Sequence, residues 1–127
     1  MLGELKIKVV SAVLKEDLDL LTKMDPYAIF ILGSQKFSTH VANNQGMFPE
    51  WGDEFTFFVS DDEKLEIVLY DQDILVDDFI GSGFMSIYKL AERENIVKQL
   101  PLYKQGKDAG TIKFEMYFTS VSTAPRN

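Results

Sequence analysis

The sequence contains no cysteine, which excludes disulfides and thiolate metal sites and fits a reducing compartment. It has one histidine, His40, and no serine or cysteine nucleophile elbow beside it, so an enzyme is not expected. No apolar run approaches the ~20 residues of a bilayer span, and the N-terminus lacks the apolar core of a signal peptide. Basic residues are the minority: 13 Lys and Arg against 20 Asp and Glu leave a formal net charge of −7. Nucleic acid is therefore a poor partner, because phosphate binding needs clustered Lys and Arg. A chain this acidic is also repelled by anionic lipid unless something cancels its charge.

What is present is apolar material in a strand-like pattern. Hydrophobic residues make up 46% of the 127, with ten Phe and five Tyr, enough for one domain with a substantial core. Residues 3–12 alternate, with Leu5, Ile7 and Val9 on one face and Glu4, Lys6 and Lys8 on the other. Residues 27–32 form a continuous apolar run that opens after Pro26, a residue that marks strand starts. Further strands are expected over 36–41, 54–59, 64–71, 79–87, 98–103 and 111–119. The stretch 90–100 is short and charged and reads as the one helix-like piece, a short helical turn near residues 89–97. The fold class is thus all-β, an eight-stranded antiparallel β-sandwich. It occupies residues 1–119, and the tail 120–127, with little to bury, is expected to be flexible.

Two acidic stretches stand out, 17–27 and 71–78. Carboxylates in close company repel one another and penalise the folded state, and a hard divalent cation such as Ca2+ removes that penalty with oxygen ligands from flexible loops. Solvated acidic turns are the plainer reading of either stretch alone. In an antiparallel sandwich, however, alternate connections emerge at the same end, so residues 13–26, 42–52 and 72–78 meet at one rim. Each of these connections also carries apolar side chains: Leu20 and Leu21, Met47 and Phe48, and Ile74, Leu75 and Val76. Leu18 and Met24 read instead as core. The stretch from Asp71 is no EF-hand, since Val76 stands where that loop needs Gly and Ser82 where it needs Glu. Nor does it suit an aspartate-nucleophile phosphatase, for which the helices between strands are missing.

These residues together resemble the C2 domains, calcium-dependent lipid-binding modules. The matching pieces are the opening Gly3-Glu4-Leu5-Lys6-Ile7, Asp19 six positions before the Asp25 of Met24-Asp25-Pro26-Tyr27, and Pro49-Glu50-Trp51 leading to Glu54-Phe55. They continue with Asp71-Gln72-Asp73, Asp78-Phe79-Ile80-Gly81 and the closing Gly110-Thr111-Ile112. The resemblance covers nearly the whole chain, and the placing of the first acidic loop after the first strand is similar to the permuted topology called type II.

The resemblance implies that Asp19, Asp25, Asp71, Asp73 and Asp78 ligate calcium, helped by backbone carbonyls near Leu18 and Gln72. The interval from Asp73 to Asp78 is one residue shorter than is common in the family, which leaves Asp77 and Asp78 as alternatives for the fifth ligand. It further implies a calcium-dependent phospholipid-binding module holding two Ca2+, whose four charges would bring the chain from −7 to −3. Leu20, Leu21, Met47, Phe48, Ile74, Leu75 and Val76 would dock into the bilayer. Because the third loop carries no Lys or Arg, neutral headgroups such as phosphatidylcholine should be tolerated. The expected protein is a cytoplasmic monomer recruited to membranes as calcium rises. The competing reading keeps the same fold as a calcium-regulated protein–protein interaction module with no direct membrane contact.

Overall fold

The computed structural model describes residues 2–16, 23–60, 63–88 and 90–121, and every regular element among them is a strand. In chain order these are β1 (Gly3–Leu14), β2 (Pro26–Leu32), β3 (Gln35–Ser38), β4 (Glu54–Val59), β5 (Glu63–Asp71), β6 (Asp78–Ile87), β7 (Asn95–Lys104) and β8 (Lys107–Ser120). Alternation of buried and exposed side chains runs through most of them, as a half-buried strand requires. In β1 a bulge between Val9 and Ser11 shifts the alternation by one, so that Ala12 and Leu14 turn inward after Leu5, Ile7 and Val9.

The strands hydrogen-bond in the order β3-β2-β5-β6-β7-β8-β1-β4, all antiparallel. Between β6 and β7 the ladder narrows to one pair, Ser82 with Tyr103. There the ribbon folds over into two four-stranded layers. Phe30 of β2 meets Phe114 of β8 edge-on at 5.5 Å, although three strands separate theirs in the hydrogen-bonded order. Only face-to-face packing of the layers brings them together. The remaining open side is closed where the two edge strands meet. The Gln35 amide accepts from the Phe58 N–H at 2.8 Å and donates to the Phe58 carbonyl at 2.6 Å, and Phe37 packs on Phe55 and Phe57 at 5.3 and 5.0 Å. Such closure blunts edges that would otherwise template aggregation.

Two sequence expectations need correction. No helical turn lies near residues 89–97 among those described; Asn95 to Leu100 belong to β7 and pair with β8 from Tyr117 to Ile112. The charged composition reflects a strand whose first half lies on the surface, with Leu100 and Leu102 supplying the buried anchor. Pairing with β8 overrides local preference. The third strand is also shorter than 36–41, ending at Ser38. There the Thr39 hydroxyl accepts the Ala28 N–H at 2.9 Å in place of a backbone carbonyl, and the chain leaves the sheet. At the other end of the chain, Ser120 still belongs to β8, and residues 122–127 lie outside the described residues.

Candidate functional site

The connections β1–β2, β3–β4 and β5–β6 emerge at one end of the sandwich, and Asp25 is where they meet. Its N–H donates to the Asp71 carboxylate at 2.8 Å, at the end of β5. Its own carboxylate accepts the Asn44 N–H of the middle connection at 2.6 Å, and its carbonyl accepts the Gln72 N–H at 3.0 Å. Pro26 follows, pairs with Asp71 in the β2–β5 ladder, and has no N–H to leave unsatisfied at the strand start. Its carbonyl takes the Ala42 N–H at 2.8 Å and the Trp51 indole N–H at 3.3 Å. The middle connection is fastened to β1 as well, through Leu14 N–H to Met47 O at 2.8 Å and Ala12 N–H to Pro49 O at 3.0 Å.

Asp71 is only 1% exposed. A carboxylate so buried is costly unless hydrogen-bonded or beside positive charge. Two residues on, Asp73 accepts the N–H of Ile74 at 2.6 Å and donates its own N–H to Asp77 at 3.0 Å. The other Asp77 oxygen accepts a short hydrogen bond from the Tyr27 hydroxyl. That bond, with the Asp73 N–H, holds the Asp77 carboxyl below the usual carboxylate range. Burial, and then the hydrogen bond to Asp77 and its charge, push the Tyr27 hydroxyl up to about 12. Asp78 opens β6 opposite Asp71 and is exposed.

Asp25, Asp71, Asp73, Asp77 and Asp78 therefore share one rim, through strand pairing and the tight β5–β6 connection. Among the described residues no three acidic or histidine groups are close enough to hold a metal ion as they stand. Asp19 and the carbonyl of Leu18 lie outside the described residues, as do Leu20 and Leu21. All the donors offered here are oxygens, and one of them is buried, a set whose chemistry fits a hard divalent cation. Ile74, Leu75 and Val76 are 97%, 90% and 75% exposed. Of the middle pair, Phe48 is 64% exposed, whereas Met47 is partly buried against the core. Met24 is fully buried. Two features escaped sequence reasoning: the Tyr27–Asp77 bond, and a fourth connection at this rim, the β7–β8 hairpin.

Fold and rim define an antiparallel sandwich that presents its chemistry on loops rather than in an interior cleft. The chain belongs to the C2 domain family, whose model matches residues 3–102. It is 33% identical over 120 residues to elicitor-responsive protein 3 of Oryza sativa subsp. japonica, covering 92% of this chain and 83% of that one. The first of the C2 domains of plant extended synaptotagmin 1, domain A, superposes with a TM-score of 0.86 at 26% identity, over 94% of this chain and 96% of that domain. A calcium-bound structure of C2 domains A and B of extended synaptotagmin 2 superposes with a TM-score of 0.75 at 26% identity, over 91% of this chain and 45% of that one. No helix among the described residues is long and apolar enough to cross a membrane.

Proposed function

We propose that this chain is a non-catalytic module that docks on phospholipid membranes when calcium is present. The observation that supports it best is the juxtaposition in the β5–β6 connection, where three nearly naked apolar side chains are flanked by Asp71, Asp73, Asp77 and Asp78. Burying an apolar side chain of that size contributes roughly 1.5–3 kcal/mol. Three of them, with Phe48 beside them and less the orientational cost of association, support reversible docking of roughly micromolar order. Leu20 and Leu21 would add to this set.

Asp19, Asp25, Asp71 and Asp73, with Asp77 or Asp78 as the fifth carboxylate and the carbonyls of Leu18 and Gln72, would hold calcium. Bound calcium supplies the positive charge that relieves carboxylate repulsion and reverses the sign of the rim toward lipid phosphate. The Asp25 N–H already ties the start of β2 to Asp71, and the Asn44 N–H ties the middle connection to the Asp25 carboxylate. With no Lys or Arg in that connection, phosphatidylcholine suffices as the target surface. Recruitment of a cytoplasmic protein to membranes as calcium rises follows from the same scheme.

Thermal melting with calcium and with chelator, followed by sedimentation with phosphatidylcholine vesicles, tests the reading. A calcium-dependent rise in melting temperature together with calcium-dependent sedimentation is expected. A melting shift without sedimentation would favour a calcium-regulated protein–protein interaction module, and no melting shift would remove the calcium site.

A further inference from the structure

The β7–β8 hairpin turns at the same rim as the acidic connections. The start of β8 lies against the end of β1, with Gly110 paired to Leu14 and the Lys15 N–H donating to Ala109 O at 3.1 Å. The turn consists of Gln105 and Gly106, with φ of 51° and 76°, the two-residue left-handed turn that suits a twisted hairpin. Glycine takes such a φ freely, whereas glutamine does so at some cost. The flanking residues Lys104 and Lys107 stand directly opposite one another in the ladder. Like charges so placed destabilise a strand pair. Among the described residues neither lysine is engaged in an ion pair.

A cavity of about 210 Å³ opens beside this turn, with Lys15, Lys104 and Lys107 on its wall. Its apolar lining comes from Ile80 and Ala109. Two acidic residues also line it, Glu16 and Asp108. Asp108 is already committed, accepting the Gly110 N–H at 2.9 Å and pairing with Lys15 at 3.7 Å. Among the described residues that line it, Lys104 and Lys107 are left with Glu16 as the one uncommitted acid, so these residues together are net positive on a chain of net charge −7. It is smaller than the ~300–1,000 Å³ of sites for drug-sized ligands yet several times the ~30 Å³ share of one water. A small anion with strong acceptor oxygens fits it, held by ammonium groups acting as point charges.

We propose that this pocket binds the phosphoryl group of an acidic lipid headgroup. An anion there relieves the Lys104–Lys107 repulsion, and the rim position brings the pocket to the same surface as Ile74 and Leu75. The lipid source of the phosphoryl group rests on the membrane-docking reading; the anion pocket does not. The neutral tips and the basic pocket then divide the work, apolar insertion giving docking and the lysines adding a preference for acidic lipid.

The test has two arms, each run on the full chain and on a K104Q/K107Q double variant. In calcium-free buffer, glycerol 3-phosphate should move the amide resonances of Gln105, Gly106, Lys107 and Ala109 saturably in the parent chain only. With calcium, a minor fraction of phosphatidic acid in phosphatidylcholine vesicles should tighten binding by about tenfold, as two lysines near a charged surface allow. The variant should lose that gain, keep its phosphatidylcholine binding, and melt no lower than the parent, since a repulsion has been removed. An equal gain in the variant, or no resonance shifts with glycerol 3-phosphate, overturns the proposal. Loss of all vesicle binding with the shifts intact sinks the membrane reading and upholds the anion pocket.

Discussion

The Tyr27 hydroxyl, on β2, donates to the carboxylate of Asp77, fifty residues away in the β5–β6 connection. Tyr27 also stacks on Tyr70 at 5.9 Å, and Tyr70 meets Phe79 edge-on at 5.9 Å, so the donor is held by a row of rings across three strands. The acidic connection is thereby tied down at its far end while Ile74, Leu75 and Val76 stay in solvent. Carboxylate and grease are separated within six residues by one bond from outside them.

That bond has a pH signature. Tyr27 holds its proton more tightly in the folded chain, at about 12, than at its ordinary value of 10.0. The corresponding stability is present below about pH 10 and is lost as pH rises toward 12. Asp77 is shifted the other way, so its contribution is present above its ordinary 3.8 and is lost as pH falls through its depressed folded value. Ultraviolet titration of the native protein should show one tyrosine ionising near 12. In Tyr27→Phe that step should vanish, and the Asp77 carboxyl resonance should titrate closer to 3.8.

Because Leu75 is 90% exposed, its truncation leaves no cavity and should not alter melting. On the membrane it removes a buried side chain worth roughly 1.5–3 kcal/mol. Leu75→Ala should therefore weaken calcium-dependent sedimentation with phosphatidylcholine about tenfold or more. A melting temperature that falls in step with binding would show Leu75 to be structural instead.

Asp73 is exposed, and its hydrogen bonds stay within its own loop. Asp73→Asn should leave calcium-free melting near that of the parent chain while reducing the calcium-induced rise. In the parent, calcium at about a hundred times its Kd should stabilise by about 2.7 kcal/mol. Calorimetric titration of the two proteins checks the same point, and equal calcium affinity would remove Asp73 from the ligand set.

Gly110 adopts φ of +124° where β8 passes the end of β1, and a Cβ there would lie 2.1 Å from the Val13 carbonyl oxygen. Neither the conformation nor the space suits a side chain. Gly110→Ala should destabilise the fold by about 2–4 kcal/mol, read as an earlier denaturant midpoint. Gly106→Ala, at a left-handed position with open space around it, should cost less.

Much of the fold was legible because its strands announce themselves with a period of two. Leu65, Ile67 and Leu69, and likewise Ile112, Phe114, Met116 and Phe118, are buried as their alternation requires. The rim was legible as well, since connections that alternate ends in an antiparallel sandwich must gather somewhere. The stretch 90–97 was not. Its charges and lack of clear alternation look helical locally, and only the β8 ladder from Tyr117 to Ile112 makes a strand of it from Asn95 onward. Met47 and Phe48 are adjacent and similarly apolar, yet one packs on the core and the other faces solvent, a choice made by the backbone bond from Leu14 to Met47.

Residue order alone determined the class of fold, the alternating faces that build its core, and the acidic connections placed at one end, because side-chain period and turn chemistry act over a few residues. Tertiary structure alone decided which carboxylates acquire partners, since Asp25 with Asp71 and Tyr27 with Asp77 meet across 46 and 50 residues. It also decided that Lys104 and Lys107 share a pocket with Lys15. Those encounters depend on strand order and register, which no local pattern encodes.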